Sequence, residues 1–413
     1  MKIISYAPKL NHEADIASLL SSDFISRKPL SPFHEASIDF LSSLSKKLLE
    51  TIGIKSYPEL VALAYWLRKA NLVSIIDNFK NEISDSEILV PRGLAFHVAP
   101  SNVDSIFLYS WALSLLAGNS NVVRVTQNLN DQLELLLSLI REMMNEGKYA
   151  TISERNLIIT YPREEKTNSF ISSRSDLRII WGGDDTIMSI KSLPSKPTTK
   201  DISFADKISY TIIHSSNYLS ASKDLKTNIA KQFYNDSYWF DQLACSSPRF
   251  VFFSGEKNEC KSASTDFWKY LEEQLLQKDE SDTINVAMEK LVYLYESFSA
   301  AQNISQTVSM NKSKPTVARI NIGDIRKYTE TCGGGFFFEC FIDDLNDVIN
   351  IVSRKDQTLS YFGFDKAELK NIILKINGTG IDRVVPVGQA LNFGPTWDGY
   401  SLLSELTKRI YLT

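Results

Sequence analysis

The sequence predicts an α/β fold, with parallel sheet covered on both faces and a helical segment ahead of it. Three observations carry this. Residues 1–86 mostly place apolar residues at three- and four-residue spacing, the period of a helix with one buried stripe. From Glu87 onward short strand-like runs alternate with helical stretches, the pattern of a parallel sheet wrapped by its crossovers. After about residue 216 a second set of helices and strands begins, and 413 residues are too many for one minimal core.

In chain order, "SIDFLSSLSKKLLETIG" and "YPELVALAYWLRKANLVSIIDNF" read as helices. Pro58 suits the first turn of the second, where its missing N–H would be unpaired in any case. "EILVPRGLAFHVAP" is strand-like, and "NVDSIFLYSWALSLLAG" is a helix ending at Gly118. "NVVRVT" is a strand, "NDQLELLLSLIREMMNEG" a helix closed by Gly147, and "NLIITYP", "DLRIIWGG" and "KISYTIIH" are further strands. The second unit opens with a helix through "KDLKTNIAKQFYNDSYWF", then runs through the strand "PRFVFF" and the helix "STDFWKYLEEQLLQ". Strands in "KPTVARINI", "GGGFFFECFI" and "TLSYFGF" follow, and the acidic "QKDESDT" reads as a solvated loop. There is no internal repeat and no low-complexity linker.

Composition excludes several function classes. Apolar residues make up 43% and charged residues 23%, ordinary for a soluble globular enzyme. With 45 basic against 49 acidic side chains the net charge is −4, so the basic stripe that a phosphate backbone requires is missing and nucleic acid is not an expected partner. The start of the chain lacks the apolar core of a secretory signal. The best apolar run, "IFLYSWALSLLAG", falls short of the roughly 18–20 residues of a membrane span. Four cysteines without a CxxC pair and four scattered histidines indicate neither a metal site nor a disulfide framework, which makes a reducing cytoplasm the expected location.

Three stretches could carry chemistry. "HVAPSNVDS" runs from a strand end into an apolar helix, and ligand sites of open α/β sheets gather at the carboxyl ends of strands. Asn102 there either donates to a developing oxyanion or caps the helix that begins near Val103. In "IIWGGDDTI", Gly182 and Gly183 separate a strand from a helix, where bare backbone admits a phosphate or simply makes a turn. GxGxxG is absent. The third is Cys245 in "QLACSS". An unpaired cysteine is commonly a small buried hydrophobe, the reading that fits Cys260, Cys332 and Cys340. Small neighbours, with Gln242 and Arg249 close by, make Cys245 accessible to a substrate, and even a few per cent of thiolate is strongly nucleophilic. His97, beside Asn102, reads as a strand-end histidine hydrogen-bonded to backbone rather than as a base.

In this order the stretches resemble the aldehyde dehydrogenase superfamily. They most resemble the acyl-CoA reductase family that supplies the reductase component of bacterial bioluminescence fatty-acid reductase. The motifs are "GLAFHVAPSNVDSIFLYSWALSLLAGNSNVVRVT" (Gly93–Thr126), "WGGDDTI" (Trp181–Ile187), "DQLACSSPRF" (Asp241–Phe250), "GGGFFFE" (Gly333–Glu339) and "GIDRVVPVGQALNFGPTWDG" (Gly380–Gly399). The similarity runs from about Tyr57 to the C-terminus. It implies that Cys245 is the acyl-accepting nucleophile and that Asn102, with the Cys245 N–H, binds the oxyanion. It also implies that Arg124 faces the adenosine ribose and that Gly182–Gly183 replaces the Gly-Ser turn beside the pyrophosphate.

The departures from the superfamily pattern are informative. "DISFADKIS" holds no glutamate where acid-forming dehydrogenases activate water, which suits a reductase whose acyl-enzyme must not be hydrolysed. Gln127 stands where NAD-preferring relatives often carry Glu, and with Arg124 and Thr126 it would meet a 2′-phosphate without a carboxylate, so NADPH is expected over NAD. The nicotinamide-gripping EIFGP element is replaced by "ETCGGGFFFE", which leaves Glu330 and Glu339 without a clear part.

The resemblance thus implies an aldehyde-dehydrogenase-like fold with a helical segment over 1–86 and a Rossmann-type dinucleotide-binding domain over 87–215. A catalytic domain over 216–379 and a return segment over 380–413 complete it. The implied reaction reduces an acyl thioester, from acyl-CoA or an acyl-carrier or acyl-activating protein, to an aldehyde, in a homo-oligomer. An aldehyde-oxidising dehydrogenase and a non-catalytic partner of an acyl-activating enzyme are the alternatives.

Overall fold

The computed structural model describes residues 3–413 apart from 101, 102, 104, 163, 279–283, 301–304 and 308–313. In chain order the strands that build its two large sheets and one edge pair are Ile3–Ala7 (β1), Asn11–Ala14 (β2), Glu87–Pro91 (β3), Leu94–Val98 (β4), Ser120–Arg124 (β5), Asn156–Thr160 (β6), Leu177–Trp181 (β7) and Lys200–Phe204 (β8). They continue with Ile208–His214 (β9), Pro248–Ser254 (β10), Ser305–Thr307 (β11), Thr316–Arg319 (β12), Phe336–Ile342 (β13), Asp356–Phe362 (β14), Arg383–Pro386 (β15) and Thr407–Tyr411, which pairs antiparallel with β3. The chain divides into two units, residues 1–205 with 393–413, and residues 206–392.

In the first unit the sheet order is β2-β1-β6-β5-β4-β7-β8. β4 pairs in parallel with β5 on one side and β7 on the other. The chain therefore reverses its direction of travel across the sheet at β4, and the carboxyl ends of β4 and β7 flank the switch point where α/β sheets bind ligands. The helix Ile106–Leu116 is buried at every position, which explains why it is apolar all round and yet too short for a bilayer: it is a core helix. Among the described residues no helix is long and apolar enough to cross a membrane.

Two features of this unit differ from the sequence reading. The segment 1–86 is not helical throughout, because β1 joins the sheet by pairing antiparallel with β6. Five residues are too few to show a period against a helical background. The second predicted helix is two, Pro58–Trp66 and Lys69–Lys80. The Asn71 side-chain amide takes the Trp66 carbonyl at 2.6 Å, and Arg68 leaves helical space at φ −57°, ψ 139°.

The second unit has the sheet order β11-β12-β13-β10-β9-β14-β15, parallel except for β11 against β12. Alternation along β10 supplies both faces. Phe250 and Phe252 enter one core, while Val251 and Phe253 enter the core under the helices Lys223–Tyr238 and Lys257–Gln277. β9 belongs here, between β10 and β14, so the boundary falls at 205/206 rather than at 215. β15 pairs with β14, so the return to the first unit begins at Phe393 rather than at 380. Both shifts come from pairing between strands far apart in sequence, which local pattern does not record.

A buried polar network crosses the first sheet. His97 Nε2 lies 2.9 Å from Asn121 Oδ1, and His97 Nδ1 lies 3.4 Å from Ser110 Oγ. Asn121 Nδ2 donates to Asn119 O and to Asn156 Oδ1, which also accepts from Trp111 Nε1. With the Asn121 oxygen thereby facing the ring, His97 carries its proton on Nε2 and is neutral. Its partners are side chains rather than the backbone that the sequence suggested. Burial holds its pKa down at about 4, against the smaller opposite pull of Asn121. A folded-state value below the unfolded one means that the unfolded chain binds the extra proton, so stability present above pH 6.5 is lost as pH falls through 4. We expect the unfolding free energy in urea to fall by about 3 kcal/mol from this group between pH 7 and pH 4, and His97→Gln to remove that part of the slope.

Candidate active site

The loop that carries Cys245 is held by backbone conformations and by one buried amide. Asp241 and Gln242 both have positive φ, 48° and 62°, a region that non-glycine residues enter only when their surroundings hold them. Gln242 is fully buried. Its Nε2 donates to Pro248 O at 3.0 Å and Phe336 O at 2.8 Å, and its Oε1 accepts from Gly335 N at 3.1 Å and Phe336 N at 3.0 Å. The amide thus ties the Cys245 loop to the starts of β10 and β13. Gly334 N donates to Asp241 O at 2.9 Å, which adds a backbone tie.

The glycine triplet exists for this contact. Gly333, Gly334 and Gly335 all have positive φ, and a Cβ on Gly335 would stand 2.2 Å from the Tyr238 hydroxyl oxygen. No side chain fits there. "GGG" ahead of an aromatic strand is therefore a sequence trace of the loop that packs against Tyr238 and the Asp241–Leu243 stretch.

Cys245 itself is half-buried, unlike Cys260 and Cys340, which are fully buried. Gln357 Nε2 donates to Cys245 Sγ at 3.2 Å. Ser209 Oγ donates to Cys245 O at 2.6 Å and accepts from Thr358 N at 3.1 Å. Burial raises the thiols of Cys260 and Cys340, and pushes Cys332 up to about 12 despite Lys290. Cys260 and Cys340 are fully buried, as the sequence reading has it, whereas Cys332 is half-buried like Cys245. Arg249 is buried and turned to Thr329 O at 2.8 Å, with Asp206 at 3.8 Å, so it braces β10.

The two doubtful glutamates also resolve. Glu339 is buried on β13, where its carboxylate accepts from Ser264 Oγ, Trp268 Nε1 and Arg319. It is fully used in packing. Glu330 is exposed, and its backbone carbonyl accepts from the Tyr293 hydroxyl at 2.6 Å.

In the first unit the sequence-predicted nucleotide residues share one sheet edge. Arg124 ends β5, half-buried, with its guanidinium 4.8 Å above the Tyr161 ring and Nη2 3.5 Å from Tyr161 O. Thr126 Oγ1 accepts from Asn128 N at 3.3 Å, and Gln127 is exposed. Gly182 follows β7, with φ 157° and room so tight that a Cβ would press on Thr186 at 3.0 Å. Gly183 is the N-cap of the helix Asp184–Lys191, without a side-chain cap, and a Cβ on it would meet nothing within 4 Å. The open N-terminus suits an anion, yet Asp184 and Asp185 in the first turn already answer its dipole.

Asn102 lies outside the described residues. The helix after it starts at Ile106, with Ser105 in the capping position, so the cap expected near Val103 falls three residues later. Sequence reasoning missed Ser209 and Gln357, because a serine and a glutamine at strand starts carry no signal of what stands opposite them.

A family profile described as acyl-CoA reductase (LuxC) matches residues 67–409. No curated protein matches the sequence. Solved structures share the fold at low identity. Aldehyde dehydrogenase 21 from Physcomitrella patens, in complex with succinate, is 12% identical with a TM-score of 0.64, covering 96% of this chain and 88% of its own. Methylmalonate-semialdehyde dehydrogenase from Oceanimonas doudoroffii is 10% identical with a TM-score of 0.66, at the same coverages of 96% and 88%. A glyceraldehyde-3-phosphate dehydrogenase from Methanocaldococcus jannaschii, complexed with NADP, is 11% identical with a TM-score of 0.62, covering 99% of this chain and 98% of its own.

Removing the Gln242 amide takes a partner from two carbonyls and two N–H groups in a buried site, the Phe336 N–H keeping Gly333 O at 3.3 Å. Gln242→Leu is therefore expected to lower the unfolding free energy by about 3 kcal/mol or more, read by denaturant titration. A variant as stable as the wild type would show that the loop does not depend on this amide.

Proposed function

The chain belongs to the acyl-CoA reductase (LuxC) family, an oxidoreductase acting on acyl or aldehyde groups, and on that premise we propose that it reduces an acyl thioester to an aldehyde with NADPH through an acyl-cysteine at Cys245. The observation that carries this reading is the half-buried sulfur of Cys245, faced by a donor amide at 3.2 Å on a loop held in a strained conformation. The donor is an acyl-CoA, or an acyl group handed over by an acyl-activating protein.

The Cys245 thiolate attacks the thioester carbonyl carbon, a new C–S bond forms, and the electron pair moves onto the carbonyl oxygen. Asn102 and the Cys245 N–H are assigned to that oxyanion. The charge collapses back, the donor thiolate leaves and takes up a proton, and the acyl group remains on Cys245. Arg124, Thr126, Gln127, Gly182 and Gly183 are the residues assigned to the nucleotide. Their common sheet edge, the stacked guanidinium of Arg124 and the bare backbone of Gly182 support this. Asp184 and Asp185 favour placing a 2′-phosphate at Arg124 and Thr126, away from the helix start. Bound there, the nucleotide would supply a hydride; the acyl-cysteine carbonyl carbon would accept it, and its oxygen, held by Asn102 and the Cys245 N–H, would take a proton from solvent to complete the thiohemiacetal. The absence of Glu from "DISFADKIS" supports reduction over aldehyde oxidation.

NADPH oxidation with a panel of acyl-CoAs tests the whole reading. Cys245→Ala should abolish both turnover and covalent acyl labelling, and Asn102→Ala should lower the rate by about 10²–10³. Acid release from an aldehyde with NADP as oxidant, at a rate exceeding acyl-CoA reduction, would overturn it. Arg124→Ala should raise KM for NADPH by at least about tenfold while leaving KM for NADH within a factor of two or so, because the lost charge-assisted contact is to the 2′-phosphate. Equal effects on both would move the phosphate elsewhere.

A further inference from the structure

We propose that Gln357 is a positioning residue for the nucleophile, whose amide N–H holds the Cys245 sulfur in place and stabilises its thiolate. The inference rests on the assignment of Cys245 as the acyl acceptor and adds to it the group that readies the sulfur.

The first argument is local geometry. Gln357 Nε2 donates to Cys245 Sγ at 3.2 Å, and Thr358 Oγ1 lies 3.4 Å from Gln357 Oε1, which turns the oxygen end of the amide away from the sulfur. Gln357 is buried, at 2% exposure, so the amide end of this part-buried contact is held away from water. An N–H donor favours the charged form of its acceptor, because a hydrogen bond to a thiolate is stronger than one to a thiol.

The second argument is independent of the first and lies in the sheet. Between the pairs Asp356–Ile208 and Leu359–Tyr210 the register of β14 against β9 shifts, so that Gln357 and Thr358 together stand opposite Ser209. This is a bulge in a parallel pair, where bulges are rare and where they re-aim side chains beside functional sites. A second shift, between the pairs Pro248–Ser209 and Phe250–Tyr210, inserts Arg249 into β10 at the same level. The two irregularities meet at Ser209, which links the Thr358 N–H to the Cys245 carbonyl. Consecutive residues of β14 therefore hold Cys245 at both ends, Gln357 at the sulfur and Thr358, through Ser209, at the backbone.

The platform beneath Gln357 is rigid. Asp356 is fully buried, paired with Arg326, and accepts from Ser353 N at 2.7 Å. Asp382 N donates to Gln357 O at 2.8 Å, and Ile381 N donates to Asp356 O at 3.0 Å. The charged groups on the elements around the loop have other partners or stand in solvent: Arg249 on β10 turns to Thr329 O, Asp206 before β9 lies toward Arg249, Asp356 on β14 is held by Arg326, and Asp241 is exposed. Lys290 lies against Gly334 on the glycine loop.

The same contact serves the last step of the reaction. When the aldehyde leaves, the thiohemiacetal hydroxyl gives up its proton to solvent, the C=O bond forms, and the C–S bond breaks with its electron pair on sulfur. The Gln357 N–H receives that thiolate without moving.

The test is alkylation of Cys245 by iodoacetamide, followed by mass spectrometry of the Cys245 peptide, in wild type, Gln357→Leu and Gln357→Glu. At pH 7 the rate should fall roughly tenfold in Gln357→Leu and further in Gln357→Glu, where a carboxylate faces the sulfur. At high pH, where the sulfur is fully ionised, Gln357→Leu should match the wild type. A rate–pH curve in Gln357→Leu that overlays the wild type overturns the proposal, and so does a uniform change at all pH values, which would mean a purely structural role. Circular dichroism identifies a variant that fails to fold; Gln357→Glu then carries the comparison. The measurement needs neither acyl donor nor nucleotide, so a failure of Cys245 to become acylated in the wild type would remove the acyl-enzyme reading without touching this result.

Discussion

The Cys245 loop is held by the buried amide of Gln242, with the Gly334 N–H on the Asp241 carbonyl beside it, against the cost of two consecutive non-glycine residues at positive φ. Each such residue is disfavoured by about 1–3 kcal/mol, and a loop free to relax would leave that conformation. Gln242 prevents this by facing four backbone groups at once: two carbonyls on one side and two N–H groups on the other. In a dry site these bonds are strong, and an unpaired partner would be expensive. The same clamp sets the approach of the glycine triplet to the Asp241–Leu243 stretch.

The two glutamines near the nucleophile, Gln242 and Gln357, share a physical property. A neutral amide is directional, offering donors on one end and an acceptor on the other, and it brings no charge that must be matched. Elsewhere in this unit the buried carboxylates of Glu339 and Asp356 are matched by Arg319 and Arg326, and that of Asp236 accepts from the Gly388 and Ala390 N–H groups. Of the two amides, Gln357 meets the sulfur and Gln242 meets backbone, so neither brings a charge next to Cys245. That arrangement agrees with the proposed acyl-cysteine, which must not be hydrolysed before it is reduced.

The first unit is organised around its switch point. β4 carries the chain into the centre of the sheet, and the polar network of His97, Asn121 and Asn156 locks the neighbouring strands β4, β5 and β6 together. A neutral, fully partnered histidine there acts as structure. Above it, the ends of β5 and β7 present a cation, a hydroxyl and bare backbone, the three kinds of group a dinucleotide needs.

The sequence by itself determined the class of fold and most of the strands and helices, and it singled out Cys245 as the candidate on which the proposed function rests. Buried strands, helix-ending glycines and a cysteine among small residues are local signals, set by propensity and burial within a few positions. The family motifs extended that reading to Asn102 and the nucleotide edge. Only the tertiary structure decided where one unit ends and the next begins, because β9 finds its partners in β10 and β14, which follow much later in the chain. It alone brought Gln357, 112 residues beyond Cys245 in sequence, to the sulfur. A hydrogen bond between distant strands, and a bulge that aims one side chain at another, depend on register across a sheet. No run of neighbouring residues encodes that register.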